Sequence, residues 1–532
     1  MKRETQSAYP VQLDTTNPAQ GRMAGFAPAF LKSGWWWTSV RLLALAAMAL
    51  VAAAAWGRRS IPGVEVPDPL MYTNLGNLLF WVFWLMGLVL LAPLAGRAWC
   101  GFCPLGAVNE VVARYGLGRP FPALFRNQHL KAGVLVATVF LMGLTRIHHY
   151  PSLTAWYLAG WAGSAVLIGS VFAGRSLCSY LCPIGGMLGL YGRVAPVTVG
   201  VREESVCRSC EGRECVRGAA QWLRGRFGRL NTLLRLRRYP CPVNLKVWDM
   251  GGSDRCLGCF NCMRACPRDN VAVYPRAPVA SLWRETYPRF SDTVMVSVLM
   301  GFVILAFSRF WPSSEMVLSA PVRWLAPVLG PAARPAFLLW LVLVLPLLSF
   351  LLAAAVTRWG HSRIQVQDSP PERLPQQKNS GNGFPFRVWL ANADPEERKH
   401  EEERVLETDT VRGLSATYAG VVIPLLLASH AVLALVKINA KAAYLPLAVA
   451  DPAGMASYAA VFELGILPAP DLLLPVASLR AVALAVMAAG TVTSLVVYRK
   501  MVAQRGLGSW PSLIPMILLG IVVFGGLVKW LF

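Results

Sequence analysis

Cys256, Cys259, Cys262 and Cys266 stand in a C-x2-C-x2-C-x3-C-P run closed by Pro267. Thiolates at that spacing wrap a [4Fe–4S] cube. The first three hold one cube, and the fourth, before proline, reaches a neighbouring one. A second cube then needs three more thiolates and must return one to the first. Cys207, Cys210, Cys215 and Cys241, the last also followed by a proline, supply them. The expected sorting is Cys207, Cys210, Cys215 and Cys266 around one cluster, and Cys256, Cys259, Cys262 and Cys241 around the other. A structural zinc ribbon also uses C-x2-C pairs. Zinc takes four ligands per site, however, and does not call for a four-cysteine run ending in proline.

A second constellation is written twice. Gly96-Arg97-Ala98-Trp99-Cys100-Gly101-Phe102-Cys103-Pro104-Leu105-Gly106 matches Gly174-Arg175-Ser176-Leu177-Cys178-Ser179-Tyr180-Leu181-Cys182-Pro183-Ile184-Gly185. Both read G-R-x-x-C, a short gap, then C-P-aliphatic-G. Proline in the first turn of a helix loses no hydrogen bond. Each motif should therefore end one helix and start a short one along the inner membrane face. Cys100, Cys103, Cys178 and Cys182 would then gather near an axis along the membrane normal. Three roles fit them: a further metal or cluster site, redox-active thiols, or buried packing under a helix start. The gaps differ, two residues in the first copy and three in the second.

The elements that position these cysteines are membrane helices. Apolar residues make up 55% of the 532-residue chain and charged residues 15%, too apolar for a soluble protein. All twelve cysteines lie between Cys100 and Cys266. That confinement reads as reduced, metal-ligating thiols on a cytoplasmic face, not as a disulfide scaffold. The net charge of +23 fits a positive-inside bias better than nucleic-acid binding. Met1 to Gly34 is polar and lacks the short apolar core of a cleavable leader.

Nine segments approach the roughly 20 apolar residues that a crossing helix needs: 35–56, 75–95, 132–147, 155–173, 293–311, 335–356, 414–436, 480–498 and 512–528. The expected fold is mainly α, a polytopic helical membrane protein with an inserted two-cluster ferredoxin-like domain. The division runs as a cytoplasmic segment 1–34, a four-span module 35–174 and a cytoplasmic ferredoxin-like domain 175–292. A two-span hairpin 293–356, a polar cytoplasmic loop 357–412 and a three-span module 413–532 follow. Arginine-rich loops after the second and fourth spans place the amino terminus and the clusters inside and the carboxy terminus outside. Arg58 and Arg59 then fall outside, against that rule. Arg41, inside the first span, is expected to reach the Trp35–Trp37 belt.

Between Cys215 and Cys241 lies an insertion with Arg217, Arg224, Arg226, Arg229, Arg235, Arg237 and Arg238 and no acid. Leu223, Phe227, Leu230 and Leu234 mark one face of a basic amphipathic helix. Lipid phosphates on the inner leaflet, or an acidic redox partner, would supply the counter-charge. His430 lies within the seventh span, where ionisable residues are rare and functional more often than elsewhere. It is a candidate quinone contact. A bis-histidine haem with His148 or His149 is disfavoured. No nucleotide-binding glycine fingerprint, Walker loop, H-E-x-x-H or nucleophile elbow is present in the sequence.

The paired C-P-L/I-G motifs beside the membrane, followed by the two-cluster cysteine segment, resemble the polyferredoxin membrane proteins, among them NosR, NapH and CcoG. The resemblance covers roughly residues 75–275. It implies four spans around the paired motifs, cluster ligation by the eight cysteines from Cys207 to Cys266, and electron exchange between the quinone pool and a redox partner. The first motif departs from the family's usual C-x3-C-P, and the last 240 or so residues have no counterpart in the resemblance.

The expected function is therefore electron transfer in a bacterial-type inner membrane, as a subunit of a quinol-linked oxidoreductase or beside a respiratory complex. The alternative is an assembly factor, similar to CcoG, that reduces a metal or thiols for a respiratory enzyme. Two [4Fe–4S] clusters are expected, with a third site and a quinone as candidates, and nucleic acid is not an expected partner.

Overall fold

The computed structural model describes residues 28–56, 70–217, 219–220, 237–238, 241–243, 245, 247, 256–284, 289–365, 410–505 and 510–531. Arg58, Arg59, the polar loop from 366 to 409, and Arg224, Arg226, Arg229 and Arg235 lie outside the described residues.

All nine apolar segments are helical. Among the described residues, seven helices are long and apolar enough to cross a membrane. They are α1 (Gly34–Ala55), α2 (Leu75–Ala95), α10 (Phe290–Ser308), α11 (Ala320–Trp359), α12 (Val411–Ala450), α13 (Val476–Val502) and α14 (Trp510–Lys529). The other two differ for separate reasons. Helix α5 (His129–Thr145) has 17 residues, short of the bilayer's hydrocarbon thickness at 1.5 Å per residue. Helix α6 (Pro151–Val171) has 21 residues, but Trp156, Tyr157, Trp161 and its glycines and serines dilute its apolar character. The structure thus supports a multi-pass helical protein with seven candidate spans.

Helices α10 and α12 form the centre. In their most apolar stretches 78% and 83% of residues are buried, against 6% in α1. Val296, Met300, Val303 and Ile304 of α10 share one core with Val422, Leu425 and Leu426 of α12. Helix α1 instead leaves Leu42, Leu43 and Leu50 exposed, as a helix facing lipid does.

Four short helices belong to the repeated motifs: α3 (Ala98–Phe102), α4 (Pro104–Tyr115), α7 (Leu177–Leu181) and α8 (Pro183–Tyr191). Helix α8 does not lie along a membrane face. Eight of its nine residues are buried, and Met187, Leu188, Leu190 and Tyr191 join the core of α10 and α12. The apolar run after Cys182 is too greasy to lie on a surface. The segment 175–194, assigned from sequence to the ferredoxin-like unit, therefore packs with the helical core.

The ferredoxin-like segment proper is framed by β1 (Val197–Val201), which pairs antiparallel with β4 (Val271–Pro275), Val199 opposite Val273. A second antiparallel pair joins β2 (Ala219–Ala220) to β3 (Arg237–Arg238). Between them α9 (Asn261–Ala265) carries Cys262. Val201, Val247, Met263 and Val271 form the small core of this unit.

Candidate functional site: two sets of ferredoxin-type thiols on a paired cysteine motif

Each motif starts where a long helix stops. Gly96 has φ +58° and Gly174 has φ +67°, a region that only glycine enters without strain. Each glycine turns the chain sharply, which explains the leading glycine of the repeat. Cys103 and Cys182 then cap α4 and α8. The Cys182 Sγ accepts a hydrogen bond from the Gly185 amide at 3.3 Å; Cys103 holds the equivalent N-cap position without a side-chain capping bond, its thiol facing the Gly106 amide. The C-P-aliphatic-G sequence thus places a cysteine at the N-cap in both copies, with proline at the position that needs no donor.

The unequal gaps have a local explanation. The Cys103 amide donates four residues back to Trp99 at 2.9 Å, whereas the Cys182 amide donates five residues back to Leu177 at 2.9 Å. The extra residue of the second copy is taken up as one π-helical turn. Both cysteines keep the N-cap position despite the insertion.

The two motifs are interlocked through their arginines. Arg175 is fully buried and donates to the Cys100 carbonyl at 2.6 Å and to Glu110 Oε2 at 2.9 Å, both in the first copy. Arg97, also buried, lies against the second copy. A Cβ placed on Gly185 would sit 3.3 Å from Arg97 Nη2. Each motif's arginine therefore seats the other motif's helix start. Cys100, Cys103, Cys178 and Cys182 come together as electrostatic neighbours. Burial, and then the thiols of Cys100 and Cys182, push Cys103 up to about 12, against the pull of the Gly106 amide and Arg175. Four thiols that raise one another cannot all ionise without a positive group among them.

Glu110 collects cations from both halves. It pairs with Arg175 at 2.7 Å, Arg114 at 2.8 Å and Arg41 at 3.5 Å. Burial would raise its carboxyl, but the arginines outweigh burial and hold it at about 2. Arg41 corrects a sequence expectation. It does not reach the tryptophan belt but donates to the Gly101 carbonyl at 3.1 and 3.2 Å. A carbonyl and a carboxylate within reach satisfy the guanidinium better than partial hydration at the interface. Of the three tryptophans only Trp37 is buried; it packs against Phe260 and under Arg264.

The ferredoxin-type cysteines form two sets. Cys207, Cys210, Cys215 and Cys266 line one cleft of about 390 Å³, part of it open to solvent. Cys256, Cys259, Cys262 and Cys241 are mutual neighbours in a second set, which touches the first through Cys262 and Cys215. The Cys241 amide also donates to the Cys215 carbonyl at 3.1 Å. Among the described residues no three Cys, His, Asp or Glu side chains converge as the ligands of a single ion would. Asn270, buried between β4 and the cleft, donates to Cys207 Sγ at 3.1 Å from its amide side chain and to Cys266 Sγ at 3.3 Å from its backbone.

The second set is seated on the paired motifs. The Gly258 carbonyl lies so close to Gly101 that a Cβ there would approach it to 2.6 Å. The Arg175 amide donates to the Pro242 carbonyl at 2.9 Å. The order in space is therefore paired motifs, then the Cys241–Cys256–Cys259–Cys262 set, then the Cys207–Cys210–Cys215–Cys266 set facing solvent.

The chain matches the family model described as a 4Fe-4S binding domain. The match falls at residues 77–126 and 154–202, so each half takes in one copy of the repeat. Two uncharacterized proteins of Methanocaldococcus jannaschii are similar. MJ0750 is 22% identical over 209 residues, 35% of this chain and 76% of that protein. MJ0749 is 21% identical over 187 residues, 34% of this chain and 65% of that protein. No solved structure matches. Together with the apolar helices, the match marks an iron–sulfur protein of multi-pass membrane type.

Residues outside these sets go elsewhere. His430 is buried in α12, shares a hydrogen bond with the Tyr191 hydroxyl and packs on Phe302. His148 and His149 meet edge to face, as do His148 and Trp81, beside a separate apolar cluster of the helical bundle. Arg237 and Arg238 form β3. Glu110, Lys131 and Asn270 were not legible as site residues. Single polar residues in apolar or loop sequence carry no spacing signal, and only the packing brings them to the thiols.

Proposed function

We propose that this chain is a membrane-bound electron relay with three iron–sulfur sites in series. Cys207, Cys210, Cys215 and Cys266 hold the outer [4Fe–4S] cluster, and Cys256, Cys259, Cys262 and Cys241 hold the middle one. Cys100, Cys103, Cys178 and Cys182 jointly hold the inner site. The observation that carries this reading is the seating of the middle thiols on both motifs, through Gly258 on Gly101 and Pro242 on Arg175. The donor set of the outer site fits: its four thiols line one cleft, as a cube requires.

A bound cluster supplies one-electron chemistry without a proton. The residues of the chain do the rest. Asn270 donates to two outer sulfurs, which stabilises negative charge there and tunes the potential. Leu257, buried in the helical core, helps to keep water from the middle set. Helix α8 begins at the inner site and ends at Tyr191, about 13 Å along its axis from Cys182 at 1.5 Å per residue. There Tyr191 meets His430 within the apolar bundle. A quinone is the membrane-side donor or acceptor in this reading, and a redox protein or respiratory complex the partner at the solvent-facing cleft. The thiol-bearing end then faces the cytoplasm, in keeping with its arginine-rich loops.

Iron and acid-labile sulfide per chain, with low-temperature electron paramagnetic resonance, test the reading. Two cubes require about eight iron atoms and three require about twelve. About twelve is the expected result; about eight or fewer, or zinc in place of iron, would overturn the three-site reading.

A further inference from the structure

The second motif carries a glycine doublet, Gly185-Gly186, where the first has Gly106-Ala107. A Cβ on Gly185 would lie 3.3 Å from Arg97 Nη2 and 3.6 Å from Cys182 Cβ. A Cβ on Gly186 would lie 3.0 Å from Met295 Cε, 3.3 Å from Lys131 Cδ and 3.5 Å from Gln128 Oε1. The doublet thus opens a slot in the first turn of α8, and two cationic side chains lie in it beside Cys182.

Lys131 is the more unusual of the two. It sits in the first turn of α5 and is 4% exposed, and a lysine is almost never buried to that degree unless it is paired. The charged and ionisable groups that face it are Arg97, a like charge, the thiols of Cys182 and Cys100, and Asp292. Asp292 is already engaged by Arg193 at 2.8 Å. Burial and Arg97 work against its charge, and the thiol of Cys182, with Asp292 and the thiol of Cys100, supports it.

We propose that Lys131 is the counter-charge of the inner site, a buried ammonium beside Cys182 that favours the reduced state of the group held there. The inference rests on the reading that Cys100, Cys103, Cys178 and Cys182 hold an iron–sulfur group. Reduction adds one electron to that group and no proton, so its charge becomes more negative by one. A nearby positive charge lowers the energy of the reduced form more than that of the oxidised form. Burial keeps solvent and salt from screening the effect. Lys131 touches no reacting atom; it is a positioning residue that acts through its charge.

The test is a redox titration of the purified full chain, followed by electron paramagnetic resonance. Lys131→Met keeps the stem and removes the charge. At a fixed ambient potential it should shift the inner site at least tenfold toward the oxidised form, which is 59 mV for a one-electron couple. Lys131→Arg should restore the original potential. The two outer signals should move by less than a third as much. An unchanged inner potential, or an equal shift at all three sites, overturns the proposal. Lys131→Gln, which removes the charge but keeps a polar side chain, serves if Lys131→Met does not accumulate. It should shift the potential in the same direction, and no shift there also overturns the proposal. Only two signals and about eight iron atoms in the unmodified chain would be a different result. It would remove the inner site itself, and with it the reading beneath the proposal.

Discussion

The two copies of the cysteine–proline motif share a cysteine at the helix N-cap and differ in what encloses the helix that follows. Helix α4 packs on α6 and α1 but leaves Val111 and Tyr115 exposed. Helix α8 is buried by α2, α5, α10 and α12. The first copy handles its charge by gathering three arginines on Glu110. The second has Gly189 at the position of Glu110, counted from the capping cysteine, and sets Lys131 and Arg97 against its glycines. One sequence motif thus gives one carboxylate-neutralised flank and one cationic flank. Local sequence repeats; the electrostatic environment does not, because it is imposed by neighbours from distant parts of the chain.

The largest expected effect tests whether the two halves act as one site. Cys103→Ala and Cys182→Ala should each abolish electron transfer between the membrane donor and the ferredoxin-type signals. Those two signals should remain, because they have their own eight thiolates. The double variant should be no worse than either single one, since residues acting as a unit are non-additive. Two small, additive losses of stability with transfer intact would instead make the cysteines packing residues.

Next comes the carboxylate that only the first half possesses. Glu110→Gln leaves buried guanidinium groups without their counter-charge and should cost about 3–5 kcal/mol in denaturant or thermal unfolding. Its folded value of about 2 lies below the roughly 4.3 of a free glutamate. The stabilisation from the ionised carboxylate is therefore complete above about pH 4.3 and is lost as pH falls through about 2. A variant with unchanged stability at neutral pH would show that the network does not hold the first half together.

A smaller effect distinguishes the two helix starts. Gly106→Ala brings a methyl group to 3.1 Å from Arg175 Nη1 and 3.2 Å from Cys178 Sγ, an overpacking of about 1–3 kcal/mol. It should also perturb the inner-site spectrum. A spectrum identical to that of the parent would separate the first helix start from the thiols of the second.

The smallest effect is a control outside both halves. Lys32 and Asp269 form an exposed ion pair at 2.6 Å, and Lys32→Ala should cost less than about 1 kcal/mol. A loss as large as that of Glu110→Gln would mean that exposure does not separate the two kinds of ion pair here.

The sequence by itself determined the local chemistry. The C-x2-C-x2-C-x3-C-P spacing, the repeated G-R and C-P-aliphatic-G residues and the apolar runs all act over a few neighbouring residues, where covalent geometry leaves few choices. Helix starts, sharp glycine turns and nine apolar helices follow from such rules. The tertiary structure decided what local rules cannot reach. The exchange of Arg97 and Arg175 between motifs, the turning of Arg41 toward Gly101 and Glu110, and the burial of α8 depend on residues tens to hundreds of positions apart. So does the approach of Lys131 to Cys182. A charge in an apolar segment reads the same in sequence whether it faces lipid, a carboxylate or a ring of thiols. Only packing fixes the neighbour, and for a buried charge the neighbour sets the energy.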